Sequence, residues 1–353
     1  MATITRRKAG YQAQVRRKGY PAVSQCFETR KDAEKWARQV EGELDRGVFI
    51  DRSEADKNTL GDILRRYLVE INPGKKGAAC DAIRINRLLR DNLCTYKLAA
   101  LSGKVLSQWR DERLKTVTGA TVNRELTVIS AVVNIARKEW GVYVENPVSL
   151  IRRPEGNKPR TRRLLPEEET YLLHACTATE RDRGRYTGPS NAWIKPLVLV
   201  ALETAMRRGE LLSLYWGNID LASRVARLED TKNGERRDVP LSTRAVAILR
   251  DLPRSLKGKV FPITDDSLKK GFERAVQRAR KSYEQECKKR GTGFDPAFMF
   301  DLHFHDLRHE ATSRLAERLS NILELSAVTG HKDLRMLKRY YHPRAEDLAK
   351  KLG

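Results

Sequence analysis

The 353-residue chain is predicted to be a multidomain protein, mainly α with small β-sheets. Three observations lead there. The length exceeds what one hydrophobic core holds comfortably, so two or three domains are expected. Apolar residues recur at helical spacing through most of 58–150. Short alternating runs bounded by Gly, Pro and Asn mark small antiparallel sheets near the N-terminus and again around Asn233-Gly234.

The first domain is expected over 1–56. Tyr11-Gln-Ala-Gln-Val alternates, turns at Lys18-Gly19 and resumes at Val23-Ser-Gln-Cys-Phe, which predicts a hairpin or a three-stranded sheet. Thr29 is placed to cap a helix over Lys31–Leu44 whose inner face is Ala33, Trp36, Ala37, Val40 and Leu44. Residues 1–31 hold eight Lys/Arg against one acid, Glu28. A basic sheet backed by an amphipathic helix suits strands laid in a DNA groove; an ordinary solvated hairpin is the plainer alternative.

The second domain, 58–150, reads as a helical bundle. Thr59 with Asp62 at the third helical position approaches a capping box. Apolar stripes follow in Ile83–Leu93, Val105–Leu114 and Thr121–Trp140, the last with Val122, Leu126, Ile129, Val133 and Ala136 on one face. Asn146-Pro147 ends the bundle. The run from Arg152 to Arg163, rich in Pro, Gly and cations, reads as an extended connector suited to lie along a phosphate backbone. A third domain, 164–353, starts where Leu165-Pro-Glu-Glu-Glu sets Pro and acids at a helix start.

The third domain carries the chemistry. In Leu199–Leu214 one apolar helix ends near Thr204 and another begins around Gly209, so Arg207 sits at an elbow. Glu210 can hold it there while its fork of donors faces a phosphate. A structural Arg–Glu pair is the competing reading, and Arg208 is expected to point to solvent. Lys232 rides beside the Asn233-Gly234 turn, where it can swing into a site or simply be solvated. In Phe304-His305-Asp-Leu-Arg308-His309, His305 and Arg308 share a helix face. His331 follows Gly330, and Tyr340 lies among Arg335, Lys338 and Arg339, a setting that favours its phenolate. The tyrosine pair Tyr340-Tyr341 also fits simple core packing.

With His303, His305, His309 and His331 close in sequence, zinc must be weighed. No Cys cluster or H-E-x-x-H helix is present, and Arg308 and Lys232 would repel a cation, so no metal or other cofactor is expected. The formal charge of +23, from 69 Lys+Arg against 46 Asp+Glu, points to a polyanionic partner bound with strong salt dependence. Five scattered cysteines without a C-x-x-C pair fit reduced thiols. No apolar run approaches ~20 residues, which excludes a transmembrane helix. The first residues lack the apolar stretch of a secretion signal. A cytoplasmic protein without a membrane partner is expected.

Thr204-Ala-Met-Arg-Arg-Gly-Glu-Leu, Thr231-Lys-Asn-Gly, His305-Asp-Leu-Arg-His, Gly330-His331 and Arg339-Tyr340-Tyr-His342 together resemble the tyrosine recombinase (phage integrase) family over about 164–345. Leu302-His-Phe-His-Asp-Leu-Arg-His-Glu-Ala and Met336-Leu-Lys-Arg-Tyr resemble the shufflon-type DNA invertases in particular. Segment 58–150 is similar in layout to the family's core-binding domain, and the N-terminal sheet with its helix looks like the arm-binding domain of lambda-type integrases. Ala205, beside Arg207, stands where the family usually has Gly.

The resemblance implies a mixed α/β catalytic domain and a site-specific recombinase that cleaves and rejoins double-stranded DNA for integration/excision or inversion. It implies roles as well. Tyr340 attacks the phosphate to form a 3′-phosphotyrosine; Arg207 and Arg308 hold the non-bridging oxygens. Lys232 is the general acid, His305 the base, and His331 adds a hydrogen bond, while His309 braces its helix. Family members work as tetramers on specific DNA sites, with the segment after the tyrosine, His342–Gly353, packing on a neighbour; accessory DNA-bending or directionality proteins are further candidate partners. Two other classes stay open at this point: a type IB topoisomerase with the same phosphotyrosine chemistry, and a DNA-binding regulator with an inactive catalytic fold.

Overall fold

Strands β1 (Ala2–Arg7), β2 (Gly10–Val15) and β3 (Val23–Phe27) form an antiparallel sheet in sequence order. The structure, a computed structural model, describes residues 2–340 apart from 9, 50, 159, 178–180, 183–184, 187–190, 230–235, 255–257 and 320. Thr3 lies opposite Gln14, and Gln14 opposite Ser24; Thr5 lies opposite Gln12, and Gln12 opposite Cys26. Because alternate residues face opposite sides of a sheet, these side chains share one face, free of carboxylates. The other face, with Ala13, Val15, Ile4, Tyr11 and Phe27, packs on helix α1 (Arg30–Asp45) through Ala33, Ala37, Val40 and Leu44. Thr29 caps α1 as its side chain predicts, accepting from the Asp32 N–H at 3.2 Å. Gly10 has φ +138°, and a Cβ there would lie 2.3 Å from the Phe27 carbonyl oxygen, so the turn from β1 to β2 needs glycine.

A second core is built by α2 (Ser53–Lys57), α3 (Leu60–Glu70), α4 (Ala78–Leu88), α5 (Gly103–Leu114) and α6 (Gly119–Glu139). Thr59 and Asp62 complete the capping box: the Thr59 N–H donates to the carboxylate at 2.9 Å, and the Asp62 N–H donates to the hydroxyl at 3.1 Å. The predicted face of α6, Val122 through Ala136, is fully buried. The apolar stripe expected to stay helical to Leu93 stops at Leu88. Asp91 is the reason. Its carboxylate accepts from the Leu93 N–H at 3.1 Å and from the Trp109 indole at 3.0 Å, giving the backbone a local turn instead of a helix.

The chain divides into two compact units after Lys158. The second contains α7 (Glu168–Thr177), the short strands β4 (Arg181–Asp182) and β5 (Arg185–Tyr186), α8 (Ile194–Thr204) and α9 (Arg208–Leu212). A three-stranded sheet follows, of β6 (Ile219–Asp220), β7 (Val225–Leu228) and β8 (Arg237–Pro240). Then come α10 (Thr243–Arg250), α11 (Asp265–Arg290), α12 (Asp306–Arg318) and α13 (Ile322–Thr329). Apolar α8 is central, packed against α7, α10 and α12, with Leu197, Val198, Phe261, Phe272 and Leu307 in its core. Among the described residues no helix is long and apolar enough to cross a membrane.

The connector is extended, as composition predicts, and four of its six cations are engaged within the protein. Arg153 donates to the Asn123 carbonyl and the Thr127 hydroxyl within the first unit. In the second unit Arg160 donates to Asp306 at 2.8 and 3.0 Å and to Asp301 at 2.7 Å. Arg162 pairs with buried Glu168, and Arg163 with buried Glu310 at 3.1 Å. Three of the four carboxylates are buried and would be costly to leave unpaired, so the arginines stay with them. Because Asp306 and Glu310 belong to α12, this pairing also anchors that helix. Replacing Arg160 by Ala should lower stability by ~1–3 kcal/mol, tempered by the arginine's partial exposure; chemical denaturation of the variant measures it.

Candidate active site

Helix α8 ends at Ala205, which adopts the left-handed conformation with φ 52°. Glycine favours this geometry and alanine tolerates it at a cost of ~1–2 kcal/mol; here the elbow forms with alanine. Arg207 then caps α9. Its N–H donates to Glu210 at 2.8 Å and its guanidinium donates to the same carboxylate at 2.7 Å. A further Arg207 N–H donates to the Gly330 carbonyl at 3.2 Å. Arg208 turns away to pair with Asp265.

Arg308 is buried on the first turn of α12. It donates to the Ala205 carbonyl and, at 2.7 Å, to the Thr329 carbonyl. These carbonyls end α8 and α13, where helix dipoles are negative and backbone acceptors lack helical partners. Desolvation and then the Arg207 charge push Arg308 down to about 9, which leaves it protonated at neutral pH. Both arginines therefore reach the turn that leads into His331. Each retains N–H donors of its five for a ligand oxygen.

His331 follows Gly330, whose φ of 68° ends α13. Its Nδ1 lies 2.7 Å from the Thr329 hydroxyl, which itself donates to the Leu325 carbonyl at 2.7 Å. The hydroxyl has one proton, so Nδ1–H is the donor and Nε2 carries the lone pair when the ring is neutral. Burial, then repulsion from Arg308 and Arg207, pushes His331 down to about 3. A phosphate accepting a hydrogen bond from Nε2 must meet the doubly protonated ring, which its own negative charge favours.

His305 occupies the N-cap position of α12 without a capping side-chain bond and is exposed. Its pKa is lowered by desolvation, then by Arg308, with further repulsion from Arg207 and Arg208; since the residue stays exposed, repulsion is the firmer cause. His309, one turn on, is buried and takes the hydroxyl of Tyr340 on its Nδ1. The bracing expected of His309 is thus accompanied by a direct bond to the tyrosine, which His305 does not make. Tyr340 lies just after the turn Leu334–Met336 and is half-buried. Burial raises its pKa, against the pull of Arg339 and Arg308. The expectation of a phenolate favoured by Arg335, Lys338 and Arg339 is corrected: Arg335 pairs with Asp333 in solvent, and desolvation outweighs the two cations that do act.

Lys232 and the Asn233-Gly234 turn, like His342, lie outside the described residues. The strands flanking that turn are paired, with Leu228 opposite Arg237. Arg237 is a site residue that the motif reading passed over. It donates to Glu210 at 2.7 Å and to the Val328 carbonyl at 2.8 Å, so one buried carboxylate holds two arginines. Period-two alternation could have found it, since Arg237 shares the inward face of β8 with buried Val239. Among the described residues no three His, Cys, Asp or Glu side chains are grouped to hold a metal ion.

A family model described as the phage integrase family matches residues 162–347. The chain is 39% identical over 305 residues to a shufflon-specific DNA recombinase of Escherichia coli, covering 84% of this chain and 72% of that protein. It is 34% identical over 351 residues to a putative integrase/recombinase of Haemophilus influenzae, covering 99% and 88%. Among solved structures, the fold matches a lambda integrase tetramer bound to a Holliday junction with TM-score 0.62 at 20% identity, over 97% of this chain and 95% of that one. It also matches the Tn1549 transposon integrase in complex with transposon right end DNA, with TM-score 0.64 at 16% identity, over 83% and 98%.

The lowered histidines make a stability prediction. His309, held near 4, and His331, held near 3, bind fewer protons folded than unfolded, where about 6.5 applies. Stability should therefore fall as pH drops through 6.5 towards these values, by up to roughly 3 kcal/mol for His309 and roughly 5 kcal/mol for His331. Below both folded values the effect levels off. Melting temperatures across this range should show a shallower slope for His331→Gln than for the parent.

Proposed function

The chain belongs to the phage integrase family, and from that membership and the geometry around Tyr340 we infer a site-specific DNA recombinase of the tyrosine type. It cuts double-stranded DNA through a 3′-phosphotyrosine and rejoins the strand to a new partner. One observation carries the site assignment: Arg207 and Arg308 both reach the turn before His331, while Tyr340 rests against α12, the helix that carries Arg308.

In this reading Tyr340 Oη attacks the phosphorus. Arg207, Arg308 and a protonated His331 donate to the non-bridging oxygens as charge builds, each such donor being worth ~10²–10³ in rate. Lys232 gives a proton to the departing 5′-oxygen. His305, exposed at the start of α12, and His309, on the tyrosine itself, are the proton acceptors at hand. The phosphotyrosine conserves the bond energy, so a 5′-hydroxyl from another strand can reverse the step. The shufflon-specific relative supports inversion, and the integrase relatives support integration and excision.

The partner is double-stranded DNA with specific recombination sites, bound by a tetramer and located in the cytoplasm. The net charge of +23 supplies the phosphate attraction. The carboxylate-free face of the N-terminal sheet, with Gln12, Gln14, Thr3 and Thr5, suits base edges in a major groove, where glutamine amides pair with adenine. Accessory DNA-bending or directionality proteins would shape the complex further.

A nicked suicide duplex from the host element's recombination site tests this reading. The parent protein should form a covalent adduct, whose mapping defines the cut. Tyr340→Phe should abolish that adduct while leaving DNA affinity within a few-fold; an adduct that persists would assign the nucleophile elsewhere. Arg308→Lys, which loses the planar fork, should slow adduct formation by ~10²–10³. Rapid relaxation of a plasmid lacking any recombination site would identify a topoisomerase instead.

A further inference from the structure

We propose that His309 is the proton acceptor for Tyr340, a role that rests on the reading of Tyr340 as nucleophile. The tyrosine hydroxyl is hydrogen-bonded to His309 Nδ1. The two rings are nearly parallel, at 26° with centroids 5.9 Å apart. His309 is 8% exposed, so its ring is held by its surroundings. His305 is exposed and meets His309 edge-on, with centroids 5.3 Å apart at 85°. Exposed and without a bond to Tyr340, it is placed to meet a phosphate rather than the phenol.

The step balances within the site. As the Oη–phosphorus bond forms, the Oη proton passes to Nδ1, and His309 becomes an imidazolium. The bond from phosphorus to the 5′-oxygen breaks, and that oxygen takes its proton from the acid assigned to Lys232. On rejoining, both transfers reverse and Tyr340 recovers its proton from His309. This direction uses the tautomer with Nε2–H, which leaves Nδ1 free to accept.

The charges around His309 tie this transfer to substrate. Burial holds the ring down to about 4, followed by repulsion from His305, Arg339 and Arg308, with Asp306 opposing. Without DNA, phenol and imidazole therefore both rest neutral. A phosphodiester held by Arg207 and Arg308 offsets that repulsion and makes His309 more basic once the target is in place. The nucleophile is activated by the bond it is about to cut.

Single-turnover cleavage by the full chain on the mapped half-site duplex tests the proposal. His309→Asn places Oδ1 near the position of Nδ1, so it still accepts the hydrogen bond but cannot carry the proton. The expected result is a ~10²–10⁴-fold loss of rate, together with loss of the acid-side limb of the pH–rate profile. His305→Asn should keep that limb. The proposal is overturned if His309→Asn cleaves within tenfold of the parent with the limb intact, or if His305→Asn removes the limb instead. Failure of the parent protein to form any adduct would sink the recombinase reading itself, and the proposal with it.

Discussion

The guanidinium of Arg308 is held between the C-terminal ends of two helices, and the rest of the site is arranged around it. Its N–H groups meet the carbonyls of Ala205 and Thr329, so a buried cation sits where α8 and α13 concentrate negative dipole. The same contacts satisfy backbone acceptors that a helix end leaves without partners. They also join the elbow that sets Arg207 to the turn that sets His331. Without that cation the two helix ends would face each other with like-signed dipoles.

Buried carboxylates then hold the other cations in place. Glu210 holds Arg207 and Arg237, Asp306 holds Arg160, and Glu310 holds Arg163 and Arg314. Each carboxylate would be costly to bury alone, and each is matched by guanidinium hydrogen bonds. The result is a positive site whose histidines are neutral at physiological pH, because burial and neighbouring arginines act in the same direction on them. A bound phosphate would offset that repulsion.

Local patterns read well where one residue acts on its own backbone. Thr29 and Thr59 cap the helices expected of them, and the stripe from Val122 to Ala136 is buried throughout. Patterns failed where a side chain had two possible partners. The stripe past Leu88 looked helical until Asp91 was seen to bind the Leu93 N–H. Arg160 and Arg163 looked free for phosphate because their carboxylates lie more than a hundred residues away along the chain. Arg237 was overlooked because no motif names it.

The order Arg207, Lys232, His305, Arg308, His331 and Tyr340 is read from spacing and residue type, and among the described residues Arg207 and Arg308 meet at the turn before His331. The elbow at Ala205 and the i, i+3 relation of His305 and Arg308 follow from short-range backbone geometry, which sequence encodes directly. Which imidazole meets the tyrosine is another matter. His305 and His309 are one helical turn apart, and either could face Tyr340 until the turn after α13 sets the approach of the last segment. Packing places the hydroxyl on His309 and raises its pKa by burial, since desolvation depends on the atoms that surround a group and not on its neighbours in the chain.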